Sequence, residues 1–236
     1  MVNYQYKECL INYSIIYWGH DEMKAIIFDF DGTVADTLPI CFHAFKYVFQ
    51  KYDEKELTSA DIKEMFGPSE TGIIRENLTH PEKEAAIEDY YEQYASHHQQ
   101  FVENNKAMAA LLRDLKNAGF QLGIFTGKAR RSLDISLKEL DLEGVFDVMI
   151  TGDDVVKAKP DAEGLRKVLE LLKVDASEAI YIGDSDADVQ AGKQAQVYTI
   201  GAQWLPEYQT AEFTEQPAII VHSIEQFRNS VLAGEL

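Results

Sequence analysis

Cysteine, cationic side chains and unbroken apolar runs are all scarce in this chain. Two cysteines in 236 residues, Cys9 and Cys41, are too few for a disulfide framework. Cys41 falls in an apolar helical stretch where a small buried side chain is expected, and a reducing, cytoplasmic setting fits. Lys and Arg number 22 against 40 Asp and Glu, and the formal charge of −18 opposes nucleic-acid backbones and anionic membrane surfaces. An anionic substrate would therefore need local cations to receive it. Near the start, Leu10 to Trp18 is moderately apolar but interrupted by Asn12, Tyr13 and Ser14, so residues 1–22 show neither a membrane span nor a convincing secretory signal. Met23 stands directly before the first strand pattern, and residues 1–22 are read as an extension to a domain that begins there.

What the chain does have is concentrated at Ala25 to Thr37, A-I-I-F-D-F-D-G-T-V-A-D-T. Ala25 to Phe28 reads as a short strand buried on both faces, which ends in Asp29 and Asp31 around Phe30 before Gly32 and Thr33 turn the chain. In open α/β sheets ligands bind outside the carboxyl ends of the strands. A carboxylate there can attack phosphorus if a cation offsets the charge repulsion, and a second carboxyl two residues on can donate and take back a proton. Asp and Gly are also common where a strand simply ends in a turn, but the D-x-D-G-T spacing is more specific than most short motifs.

From Leu38 to about Lys106 strand-like runs give way to helical spacing. Phe42, Phe45, Val48, Phe49 and Tyr52 mark the core face of a first helix, and Thr58, Ser59 and Asp61 offer a cap to a second that stops before Gly67-Pro68. Ser69 and Glu70 open a third helix through Leu78, and Pro81 opens a fourth through Ala86, Tyr90, Tyr94 and Phe101. Such a module is too long for a simple connection and is read as a lid. His97 and His98 are adjacent, so they diverge on a helix and suit a solvated face better than a metal. Arg75 is either a cation that meets a second anionic group of the substrate or a surface residue paired with Glu70 or Glu76.

Beyond the lid, helix and strand alternate. A helix from Ala107 to Ala118 stops at Gly119. A strand over Gln121 to Phe125 then runs into Thr126-Gly127-Lys128, where a hydroxyl and free backbone N–H groups before a helix make a phosphate seat. Val145 to Ile150 reads as the third strand. Lys159 is held extended by Pro160 at the start of a helix and can place a point charge on phosphate, with Lys157 as the competing lysine. The fourth strand, Ala179 to Ile182, ends in G-D-S-D-A-D, and Asp184 and Asp188 share a side if a helix begins there. Carboxylates gathered in this way raise one another's pKa unless a hard divalent ion intervenes, and Mg²⁺ suits carboxylate oxygens, a carbonyl and a substrate phosphate.

With these four motifs in this order, the chain from Lys24 onward resembles the haloacid dehalogenase superfamily with an all-helical cap. The resemblance implies a Rossmann-like three-layer α/β sandwich with a parallel sheet, completed by strands near Val197 to Ile200 and Ala218 to Val221. Residues 23–37 and 107–236 would form the core and 38–106 the cap. It implies Asp29 as nucleophile, Asp31 as general acid and base, and Thr126, Gly127 and Lys159 at the phosphate. Asp29, the Asp31 carbonyl and Asp184 would hold Mg²⁺, with Asp188 supporting them from behind. K-P-D-A departs from the second proline of many relatives. Dehalogenase and phosphonatase members lack an acid at the position of Asp31, which directs the expectation to phosphoryl chemistry with an oxygen leaving group.

The F-G-P-S-E-T-G segment and the A-R-R helix start are similar to phosphoglycolate phosphatase and to the bacterial pyrophosphatase of the same subgroup. The expected activity is Mg²⁺-dependent hydrolysis of a small phosphorylated metabolite through an aspartyl-phosphate, by a monomer or homodimer without nucleic-acid or membrane partners. Pyrophosphate hydrolysis and phosphomutase activity are the alternatives.

Overall fold

The computed structural model describes residues 23–235, so the expectations for residues 1–22, including Cys9 and the role of Met23 as a start, lie outside it. The strands are β1 (Ala25–Phe28), β2 (Gln121–Phe125), β3 (Val148–Ile150), β4 (Ala179–Gly183), β5 (Tyr198–Ala202) and β6 (Ile219–Val221). All neighbours pair in parallel, in the order β3-β2-β1-β4-β5-β6. β1 therefore lies at the centre, and the order reverses beside it, which is where a parallel sheet opens a crevice for ligands.

Parallel strands covered on both faces have no polar side, which is why β1 is apolar throughout and fully buried. Ile26 and Phe28 join Leu122, Ile124, Ile180 and Ile182 in one core layer, while Ala25 and Ile27 join Tyr181, Leu165 and Val168 in the other. The register sets Phe28 beside Ile124 and Ile182, so the residues that follow these strands come out on one edge.

Five helices lie between β1 and β2: α1 (Leu38–Asp53), α2 (Ser59–Glu64), α3 (Glu70–Asn77), α4 (Lys83–Phe101) and α5 (Lys106–Asn117). The aromatic stripe of α1 is core, with Phe45 packing on Tyr90 at a ring separation of 4.7 Å. Thr58 caps α2 with a reciprocal Asp61 bond, as its sequence suggests. After β2 come α6 (Arg130–Glu139), α7 (Glu163–Leu172), α8 (Asp186–Ala195) and α9 (Ile224–Ala233). Among the described residues no helix is long and apolar enough to cross a membrane.

Several boundaries differ from the sequence expectation. β3 begins at Val148 rather than Val145, because Gly144 turns at φ 73° and pairing resumes only when the Asp147 N–H donates to Leu122 O at 2.8 Å. α4 starts at Lys83, after a turn in which Lys83 N–H bonds Pro81 O. Pro160 opens no helix; α7 begins at Glu163. His98 is not solvated: it is 1% exposed and its Nε2 lies 3.0 Å from Ser136 Oγ, which also meets Tyr94 OH at 2.7 Å. These two bonds tie α4 to α6 through a buried hydroxyl.

Candidate active site

The edge formed by the carboxyl ends of β2, β1 and β4 carries Thr126, Asp29 and Asp184 side by side. Asp29 continues the ladder through its N–H to Ile182 O at 2.8 Å, and Thr126 does the same to Ile150 O at 3.0 Å. Between Asp29 and Asp31, Phe30 points into the core, and its carbonyl accepts the N–H groups of Thr33, Val34 and Ala35. Gly32 follows at φ 81°, and a Cβ there would lie 2.2 Å from Asp184 Oδ2. The glycine of D-x-D-G-T thus leaves room for the acid that β4 delivers.

Asp29, Asp184 and Asp188 are buried, and one oxygen from each lies within 4.8 Å of the others. Lys159 Nζ is 2.8 Å from Asp29 Oδ1 and 2.5 Å from Asp188 Oδ1. Three carboxylates against one ammonium leave two negative charges in a site shielded from water, which one divalent cation would balance. The donor set is all oxygen, and the residues fit Mg²⁺ on that ground. Burial pushes the Asp29 carboxyl up to about 6, against the pull of Lys159. Burial, with Asp29 and Asp188 beside it, holds the Asp184 carboxyl well above its ordinary value. Although burial opposes its charge, the carboxylates of Asp188 and Asp29 keep the Lys159 pKa above the usual lysine value.

Asp188 is saturated by the protein. Its Oδ1 accepts Tyr181 OH at 2.5 Å besides Lys159, and its Oδ2 accepts Ser185 Oγ at 2.5 Å and Ser185 N–H at 3.1 Å. The Ser185 pair is the capping box that starts α8, and a Cβ on Gly183 would come within 2.3 Å of Asp188 Cγ. An acid with every oxygen engaged aligns Lys159 more readily than it takes a ligand. Asp184 is held through Oδ2 by the Gln209 N–H at 2.6 Å.

The structure chooses Lys159 over Lys157, whose side chain is 71% exposed and 3.8 Å from Asp161. Thr126 Oγ1 accepts the Lys128 N–H at 3.2 Å, which leaves its O–H free to donate. Thr126, Gly127, Lys159, Asp29 and Asp31 all line one cavity of 270 Å³. Arg75 does not line it: its guanidinium makes a bidentate pair with Glu84 at 2.9 and 3.0 Å on the surface, rather than meeting Glu70 or Glu76.

Three contributors went unassigned in the sequence. Lys128 has a fully buried side chain, with Nζ 3.0 Å from Asp31 Oδ1, 3.3 Å from Glu70 Oε1 and 4.5 Å from the centre of the Tyr94 ring. Glu70, the first residue of α3, is also buried and accepts the Ala129 N–H and Ser132 Oγ. The available signal was T-G-K itself, a lysine one residue before a helix N-cap in a chain with few cations. Gln209 had no signal, because only folding brings the loop after β5 to Asp184. Burial pushes the Cys41 thiol, also on the cavity wall, up to about 12, so it is protonated and not a nucleophile.

The profile of the family described as "Haloacid dehalogenase-like hydrolase" matches residues 26–202. A relative named Pyrophosphatase PpaX, from Bacillus cereus, is 31% identical over 182 residues, which cover 77% of this chain and 84% of that protein. Among solved structures, a candidate β-phosphoglucomutase from Thermotoga maritima is 27% identical at a TM-score of 0.69, covering 89% of this chain and 99% of that one. A candidate phosphoglycolate phosphatase from Lactobacillus plantarum is 25% identical at a TM-score of 0.71, covering 88% and 98%.

Proposed function

This chain belongs to the haloacid dehalogenase-like hydrolases, and on that premise we propose that it is a Mg²⁺-dependent phosphatase of a small phosphate monoester resembling phosphoglycolate. The observation that carries the reading is the pair of acids, Asp29 and Asp31, facing one cavity with Thr126 and Lys159. Asp29, the Asp31 carbonyl and Asp184 would hold Mg²⁺, with Asp188 aligning Lys159 beside them. Bound there, the ion would supply charge neutralisation for the carboxylates and the substrate phosphate.

Lys159, the Thr126 hydroxyl and the Gly127 backbone would seat the phosphoryl oxygens. Asp29 would attack phosphorus; as the new carboxylate–phosphorus bond forms, the bond to the leaving oxygen breaks, and that oxygen takes its electrons and the Asp31 proton. Asp31 would then take a proton from water, whose oxygen displaces Asp29 from the aspartyl-phosphate and frees phosphate.

Residues 38–106 would act as the cap of the 23–37 and 107–236 core. Their contribution to the cavity wall favours an organic leaving group: Cys41, Phe45, Phe66, Pro68 and Ile73 are apolar, Glu70 is anionic, and no cation comes from this segment. Pyrophosphate hydrolysis is the second reading, supported by the relative named Pyrophosphatase PpaX. Assays for released phosphate from phosphoglycolate, pyrophosphate, sugar phosphates and nucleotides, with Mg²⁺ and with EDTA, test both. Sugar-phosphate isomer without free phosphate would indicate a mutase instead, and an Asp29→Asn variant with full turnover would overturn the mechanism.

A further inference from the structure

Lys128 is the second lysine on the cavity wall, and the chemistry above leaves it without a task. Its ammonium is enclosed by groups from three parts of the chain: Asp31 after β1, Glu70 at the start of α3, and Cys41 of α1, whose Sγ is 3.5 Å away. The face of the Tyr94 ring from α4 closes the remaining side. Burying a lysine this completely is costly unless its charge is matched, and two carboxylates more than match it.

The arrangement does more than satisfy a charge. Asp31 has two holders, the Thr37 hydroxyl, which donates to Oδ1, and Lys128. Thr37 belongs to the same turn as Asp31, whereas Lys128 comes from the loop after β2. Glu70 in turn needs no lysine for its own satisfaction, since it already accepts the Ala129 N–H and the Ser132 hydroxyl at the first turn of α6. Its remaining reach goes to Lys128, so α3, α6 and Asp31 are joined through one ammonium.

We propose, resting on the phosphatase reading above, that Lys128 is a positioning residue which aims the Asp31 carboxyl at the leaving oxygen, and that Glu70 fixes Lys128 in place only when the helical segment is seated on α6. A general acid works only within hydrogen-bond reach of the atom it protonates. An Asp31 held by Thr37 alone keeps a pivot and loses its second point of fixation. The reaction then suffers in proportion to how much the leaving group needs a proton.

That dependence separates positioning from a merely structural role. An alkyl leaving group such as that of phosphoglycolate needs protonation, whereas p-nitrophenolate departs without it. The test measures kcat/KM, which reports the step in which the leaving group departs and not the later opening of the shared aspartyl-phosphate, for Lys128→Met, Lys128→Arg, Glu70→Gln and wild type on phosphoglycolate and on p-nitrophenyl phosphate in saturating Mg²⁺, with thermal melts to confirm folding. General acid catalysis contributes ~100-fold or more, so Lys128→Met is expected to lose at least about tenfold more on phosphoglycolate than on p-nitrophenyl phosphate. Lys128→Arg should recover part of the difference, and Glu70→Gln, which preserves shape and folding if Lys128→Met does not fold, should show the same selective loss at smaller size. Equal losses on both substrates, or none, in an enzyme whose wild type is active would overturn this inference alone. A wild type inert toward both substrates would overturn the phosphatase reading and this inference with it.

Discussion

The Lys159 ammonium sits 2.8 Å from Asp29, the proposed nucleophile, and is held there by a second carboxylate, Asp188. One cation thus serves an acid cluster that carries more charge than it can neutralise. Lys159→Met leaves that cluster without its internal cation, and removal of one partner of a buried pair typically costs 3–5 kcal/mol. The expected result is a lower melting temperature in EDTA and a larger stabilisation by Mg²⁺ than in the wild type, read by thermal melts across a Mg²⁺ titration.

Asp184 shows the converse. Its folded-state pKa is raised by burial and by Asp29 and Asp188, so its charge destabilises the metal-free protein at neutral pH. Asp184→Asn is expected to raise the melting temperature in EDTA, to abolish the Mg²⁺-dependent rise and to eliminate phosphate release. A variant whose melting temperature still climbs with Mg²⁺ as in the wild type would place the ion elsewhere.

Gly32→Ala introduces a methyl 2.2 Å from Asp184 Oδ2 at a backbone φ of 81°. Strain of about 1–3 kcal/mol is expected from the backbone alone, and displacement of Asp184 should weaken Mg²⁺ binding. Calorimetric titration with Mg²⁺ against the wild type measures the second effect separately from the first.

His98 supplies a pH dependence with a defined sign. Burial, reinforced by Lys128, lowers its pKa from 6.5 to about 4, while Glu139 and Asp31 oppose the shift. Because the folded value is the depressed one, the unfolded chain binds the extra proton between pH 6.5 and 4, and stability falls as pH falls through that window. His98→Gln removes this contribution. The stability difference between wild type and variant should shrink by up to about 3 kcal/mol from pH 7 to pH 4 and stay level below, as followed by urea unfolding at each pH.

Arg75→Ala deletes an exposed pair with Glu84, and such pairs contribute roughly 0–1 kcal/mol. With the guanidinium outside the cavity wall, KM for the best substrate should change less than about twofold. A tenfold rise in KM would show that Arg75 leaves Glu84 to reach the substrate.

How far the sequence carried the reading depended on what kind of signal each residue left. Asp29, Asp31 and Asp184 stand at strand ends, so a periodicity argument and a short motif sufficed to gather them. The apolar run Ala25 to Phe28 made a strand buried on both faces legible, while the parallel sheet was implied by the family resemblance. Lys159 and Lys157 could not be separated, since both sit in one loop and only the folded chain shows which reaches Asp29. Glu70 looked like an ordinary helix opener, and His98 like a surface residue, because the partners that bury them, Ser132 and Ser136, lie about forty to sixty residues away on α6. Local patterns place elements; they do not say which polar side chain meets which across the gap between them.

The central place of β1 has a consequence during synthesis. Ala25 pairs with Gln121 on one edge and with Ala179 on the other, so the strand that carries Asp29 emerges from the ribosome ahead of both neighbours. Five helices must be made before its first edge can be satisfied, and β4 before its second. Long-range pairing of this kind is slow and leaves an apolar strand uncovered meanwhile. Asp29 is thus translated early, yet its surroundings are assembled only after Lys159 and Asp184 have left the exit tunnel, so a nascent chain halted before them lacks the groups that gather around it.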